Sequence, residues 1–184
     1  WNHYHFMGTP LAATMQHGVF YPINYILYIF PPFVAEAKFD ILIHLIFAGV
    51  GVWFFSYRVL ENPQPVAMGL GAVFPCISWF WTNADNLARM GGVSYIPWIL
   101  AMLGLLLMAK ITRSAFLFWH SLLLALAFLS GHPQAFFYTF LVELAILITL
   151  LMFWPGRWKT TLQSTLQIFG PVAACAGLAA VQLL

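Results

Sequence analysis

Apolar residues run almost unbroken through six stretches of the chain, roughly 40–58, 65–82, 95–110, 114–130, 135–154 and 165–184. About 20 mostly apolar residues carry an α-helix across a bilayer core, and these runs meet or approach that length. The intervals between them hold the expected punctuation: Asn62-Pro63-Gln64-Pro65, Asn83 to Gly92, Lys110 to Arg113, Gly131-His132-Pro133 and Pro155-Gly156. The runs lack the period-two alternation of membrane strands, which are also about half as long. The pattern predicts an all-α, polytopic membrane protein with about six transmembrane helices, occupying 39–184.

The first 38 residues read differently, being too polar and too often broken by proline to span. They contain the aromatic stretch Phe20-Tyr21-Pro22-Ile23-Asn24-Tyr25-Ile26-Leu27-Tyr28-Ile29-Phe30, closed by Pro31-Pro32. Such a stretch suits a helix lying in the membrane interface, or a loop packed on the bundle. Lysine and arginine collect on the cytoplasmic side of membrane proteins. With residue 40 outside, Arg58, Lys110, Arg113, Arg157 and Lys159 fall inside and only Lys38 and Arg89 fall outside. Residues 1–38 then form part of an exoplasmic loop.

Composition supports the pattern: 62% of residues are hydrophobic and 7% charged. A soluble domain carries about 25% charged residues, so this chain needs the lipid bilayer as a partner. The seven Lys and Arg make no basic stripe, which argues against nucleic acid. Cys76 and Cys175 stand far apart in apolar runs and read as small buried hydrophobes rather than a metal or redox pair. The chain opens on Trp1 and closes on an apolar run, and is expected to be a piece of something longer.

Topology sorts the polar residues by side. His3, His5, His17, His44 and His132 fall on or near the exoplasmic side, with Asp40, Asp85, Arg89, Gln134 and Tyr138. His120 alone lies apart, nearer the cytoplasmic end of the fourth helix. Asp40 and His44 are four apart and share a helix face, either orienting the histidine toward a ligand or anchoring the helix end. Asp85 and Arg89 in the 83–92 loop read as a metal ligand and a phosphate clamp, or as a solvated cap pair; a carboxylate there would suit a divalent cation such as Mg²⁺ or Mn²⁺. Glu143 lies deep in the fifth helix on a stripe with Phe136, Thr139, Phe140 and Leu147. A charged carboxylate at that depth costs several kcal/mol unless neutralised, paired or wet. It reads as a pocket or relay residue, or as a protonated interhelical bond. Gly49, Gly51, Gly69 and Gly71 read as close-packing positions. Nucleotide-binding loops and hydrolase signatures are missing from the sequence.

Several ordered motifs carry a family resemblance. Trp1-Asn2-x-Tyr4, Gly8-Thr9-Pro10-Leu11, Gln16 and Phe20-Tyr21-Pro22-x-Asn24 resemble the first exoplasmic loop of the YfhO-like bacterial membrane proteins. His44 with Ala48-Gly49, Ile96-Pro97-Trp98, Gly131-His132-Pro133-Gln134 with Phe137-Tyr138, and Ala180-Val181-Gln182-Leu183-Leu184 follow in the same order.

That family is placed among the GT-C glycosyltransferases, so the resemblance implies a GT-C-like fold in the bacterial cytoplasmic membrane. It implies transfer of a sugar from a polyprenyl-phosphate donor to a glycan or cell-envelope acceptor on the exoplasmic side. The catalytic carboxylate would lie before Trp1, leaving this chain inactive alone. The expected substrate-binding set is His3, Tyr4, Gln16, His17, Tyr21, Asn24, Asp40, His44, Arg89, His132, Gln134, Tyr138 and Glu143, with Asp85 as metal ligand. A transporter or lipid flippase is the alternative, with Glu143 its best support, and a non-catalytic assembly subunit is a third.

Overall fold

Prolines decide where these helices begin and break, because proline lacks an N–H and clashes with the carbonyl four residues earlier. The computed structural model describes residues 18, 20–27, 29, 33–84 and 86–153. Among them every regular element is helical and there is no strand. The helices are α1 (Pro22–Leu27), α2 (Phe33–Arg58), α3 (Gln64–Val73), α4 (Ser78–Thr82), α5 (Leu87–Ser94), α6 (Ile96–Leu107), α7 (Arg113–Leu129) and α8 (Pro133–Phe153).

Four apolar stretches are long enough to cross a membrane: Ala37–Arg58, Gln64–Thr82, Leu87–Leu107 and Pro133–Leu150. Arg113–Leu129 is apolar but shorter. The expected runs are therefore present as helices as far as Phe153, with shifted edges. The expected sixth run, 165–184, lies outside the described residues.

Three edges differ for physical reasons. α2 already begins at Phe33, so the boundary drawn at 38/39 falls inside a helix. The second run is interrupted: Pro75 ends α3, and a 3₁₀ turn at Phe74–Cys76 leads to α4. The 83–92 interval, expected as a loop, is largely helix, since Asn86 caps α5 by accepting the Arg89 N–H at 3.1 Å. Helix then runs to Leu107 with a break at Tyr95, two residues before Pro97.

Glycines set the spacing around α2. A Cβ at Gly49 would come within 2.7 Å of the Gly71 carbonyl oxygen, and one at Gly71 within 2.7 Å of that of Gly49. On another side of α2, Gly51 gives room to Trp98, whose Nε1–H donates to the Phe47 carbonyl at 2.9 Å. Gly69 has open space beside it and serves no close contact. Cys76 is exposed rather than buried, because the turn at Pro75 turns it outward.

α6 packs against both α2 and α7, and α7 pairs with α8. Leu103, Phe116 and Leu147 close the core between α6, α7 and α8. Ala48, Phe80 and Met90 join α2, α4 and α5. The flanks stay greasy: Ile46, Trp81, Phe118, Trp119 and Ile148 are all exposed. Apolar cover this extensive needs a non-aqueous neighbour.

At the end holding Arg58, two turns are clipped together. Lys110 Nζ donates to Glu61 Oε1 at 2.6 Å and to the Arg58 carbonyl at 2.9 Å. The hydrogen bond and charge of Lys110 hold the Glu61 carboxyl below its usual range. Ala109, next in line, sits at φ 55°, closing α6 with Lys110 N–H donating to the Leu105 carbonyl at 2.8 Å. This is the left-handed helix stop that glycine fills without a Cβ penalty of about 1–2 kcal/mol. Ala109→Gly should therefore stabilise the chain by about 0.5–1 kcal/mol after the added chain entropy of glycine is subtracted. Thermal unfolding in detergent checks this; an unchanged or lower midpoint counts against the assignment.

Candidate functional site

The polar residues of α1, α2, α5 and the α7–α8 turn meet at the opposite end of the bundle. The break before Pro97 leaves Tyr95 at the junction of α5 and α6, its side chain against Phe47 of α2 with ring centroids 5.0 Å apart. Tyr21 enters just before α1, and both tyrosines are about 2% exposed. Tyr21 Oη lies 2.7 Å from Tyr95 Oη and 2.8 Å from His44 Nε2. His44 Nδ1 lies 2.8 Å from the Asp40 carbonyl oxygen and 3.1 Å from its Oδ1.

Donor and acceptor rules give this chain a direction. A carbonyl only accepts, so His44 Nδ1 carries hydrogen; in the neutral ring Nε2 then accepts from Tyr21, and Tyr21 accepts from Tyr95. The hydrogen bonds run Tyr95 to Tyr21 to His44 to Asp40, wholly buried. The His44 N–H is aligned on the Asp40 carbonyl, so Asp40 Oδ1 sits close without a hydrogen bond of its own among the described residues. Burial, with Tyr95 beside it, pushes the Tyr21 hydroxyl far above its ordinary range. Tyr21 is thus a fixed hydrogen-bond donor, not a source of phenolate.

Beside this chain the α7–α8 turn packs on two adjacent glycines. A Cβ at Gly91 would lie 2.9 Å from Ser130 Cβ and 3.5 Å from His44 Nε2. One at Gly92 would meet Ala135 Cβ at 2.9 Å and His132 Cβ at 3.6 Å. Gly131, at φ 99°, makes the tight turn, and α8 begins on Pro133. His132 is half-buried; burial first, then the Arg89 charge, lower its pKa and favour the neutral ring. Arg89 is exposed and donates to Asn83 Oδ1 at 3.0 Å. Arg89 and the half-buried His132 therefore stand near the starts of α5 and α8, where the helix dipoles favour an anion.

The structure thus brings together Tyr21, Asp40 and His44, and sets Arg89 and His132 close by. Asn24 serves the fold, donating from Nδ2 to the Gly18 carbonyl at 2.9 Å. Gln134 and Tyr138 are exposed on α8, apart from the hydrogen-bonded chain. His3, Tyr4, Gln16, His17 and Asp85 lie outside the described residues. No group of three metal-ligating side chains occurs among the described residues.

Glu143 does not join this end. It lies within α8, and its Oε1 is 2.6 Å from His120 Nε2 with both side chains fully buried. Glu143 therefore has a buried partner, and His120 is not an outlier: each explains the other. Thr139 shares the buried stripe, yet its hydroxyl donates back to the Ala135 carbonyl at 2.7 Å. Tyr95, Ser130, Gly91 and Gly92 were not among the expected site residues; the adjacent glycines before a Tyr-x-Pro break were the available signal.

A shallow apolar groove of about 740 Å³ runs between α2 and α3, from Leu42 and Trp81 near this end to Gln64 at the other. Compared with family models, curated proteins and solved structures, the chain matches none.

Tyr21→Phe removes the central hydroxyl and leaves the His44 Nε2 and Tyr95 Oη atoms without it. Stranding buried polar groups costs about 1–3 kcal/mol. The variant should unfold at a correspondingly lower temperature. Equal midpoints for Tyr21→Phe and wild type would remove the chain as a structural element.

Proposed function

We propose that this chain is the membrane-embedded part of a glycosyltransferase that takes a lipid-linked phosphosugar at the end of the bundle holding Tyr21, Arg89 and His132. The observation that carries the reading is the pairing of that anion-favouring corner with an apolar groove reaching the same end. A polyprenyl-phosphate sugar has these two needs: a phosphate site at headgroup level and a groove for its tail. Arg89 meets the phosphate with a charged fork, and the N-terminal ends of the α5 and α8 dipoles add partial positive charge. The buried tyrosine–histidine chain holds α1 down, so that α1 covers the sugar from the exoplasmic side. A bacterial cytoplasmic membrane and a glycan or cell-envelope acceptor follow from the YfhO-like motifs. A divalent cation is part of this reading only through Asp85.

His132 gives the proposal a pH signature. Folding lowers its pKa, so the neutral ring prevails in the empty site at and above about pH 6.5. A phosphodiester keeps its negative charge throughout and favours the protonated ring, so binding takes up a proton. Donor affinity should therefore strengthen as the pH falls from about 7.5 to about 5.5. His132→Ala should abolish that slope.

Arg89→Gln should weaken binding of a polyprenyl-phosphate sugar by roughly 10- to 100-fold, the range for losing a charge-assisted bond. Sugar transfer from that donor in membrane vesicles is the accompanying measurement. Normal binding by Arg89→Gln and His132→Ala, with normal expression, would sink the site assignment.

A proton-linked transporter is the second reading, favoured by one observation: the buried His120–Glu143 pair. Uptake driven by a pH gradient, in vesicles that show no sugar transfer, would favour it instead.

A further inference from the structure

We propose that His120 and Glu143 form an intramembrane proton-binding site, in which Nε2 and Oε1 share one proton while Nδ1 keeps a hydrogen of its own. The inference rests on the geometry of this pair and not on the glycosyltransferase reading. The two atoms are 2.6 Å apart, and both side chains are fully buried. The pair lies between α7 and α8, with Phe116 packed on the imidazole at a centroid distance of 4.6 Å.

Counting protons decides the occupancy. With no added proton the neutral imidazole donates Nε2–H to a carboxylate, Nδ1 is bare and the pair is negative. With two it is an imidazolium beside a carboxylic acid and is positive. With one it is neutral overall, whichever atom the proton sits on. A net charge in an apolar interior is costly unless something nearby compensates it.

No described neighbour compensates it. α6, which packs on both helices, has no titratable side chain between Ile96 and Leu107. α5 offers only Arg89, at the polar end. α7 has Arg113 at its first residue, about two turns from His120. On α8 the other titratable group is Tyr138, which is exposed. The apolar side chains Leu103, Phe116 and Leu147 fill the rest of the interface.

The remaining two polar atoms separate a proton site from a plain hydrogen-bonded pin. Glu143 Oε2 and His120 Nδ1 are buried without a hydrogen-bond partner among the described residues. With the added proton on the line between Nε2 and Oε1, Nδ1 bears hydrogen, leaving a donor on one ring edge and an acceptor on the carboxyl. In the proton-free form, and with a proton placed on Oε2 instead, Nδ1 is bare. Hydrogen on Nδ1 therefore marks the shared-proton form.

One measurement on the whole chain in lipid or detergent tests this. ¹⁵N NMR of histidine-labelled protein at neutral pH, with the His120 signal identified by its loss in His120→Gln, should show hydrogen on Nδ1. A bare Nδ1 would overturn the proposal without any need for a folded variant at position 143.

Discussion

In an apolar interior, every hydrogen-bonding side chain must find its partner within the protein, because no solvent stands ready to take its place. That constraint organises the bundle. Tyr21, Tyr95, His44 and Asp40 satisfy one another across three separate segments, and His120 answers Glu143 across two helices. The serines and threonines inside the helices instead turn back on their own backbone, as Ser94 does to Gly91 and Thr139 to Ala135. Polar residues here either close locally or join two elements, and the ones that join elements determine which helices are neighbours.

The same economy of space explains the glycines. Helices with few directional bonds between them gain by bringing their backbones close, and small residues allow this. Gly49 and Gly71 seat α3 on α2, Gly51 admits Trp98, and Gly91 with Gly92 admits the α7–α8 turn. The first contact shapes one wall of the apolar groove. The last brings His132 alongside Arg89. Packing and candidate chemistry are thus set by the same positions.

Hydrophobic runs made the helices legible in the sequence, since length and apolarity alone mark a segment of this kind. Their edges were less so. Asn86 capping and the two interior prolines moved the second and third runs by amounts that run length does not encode. Asp40 with His44 was readable because i and i+4 share a helix face. His120 with Glu143 was not, because they belong to different helices at unrelated positions in the chain. Tyr95 was hidden for the same reason: its importance comes from the Pro97 break and from Tyr21, far away in sequence. The motifs that hold Tyr21, His44 and His132 did not indicate which of these residues touch.

The two ends of the molecule are fastened by bonds of different kinds. At one end Lys110 grips Glu61 in the open, where mobile ions screen charges beyond a Debye length of about 8 Å and compete for each group. At the other, Tyr21 is locked into a dry chain that ions do not reach. Ionic strength is therefore a one-sided handle on this fold. Salt loosens the turns beside Arg58 and Lys110 and leaves the tyrosine–histidine end taut, so the bundle is mechanically polar, with a compliant base and a stiff rim.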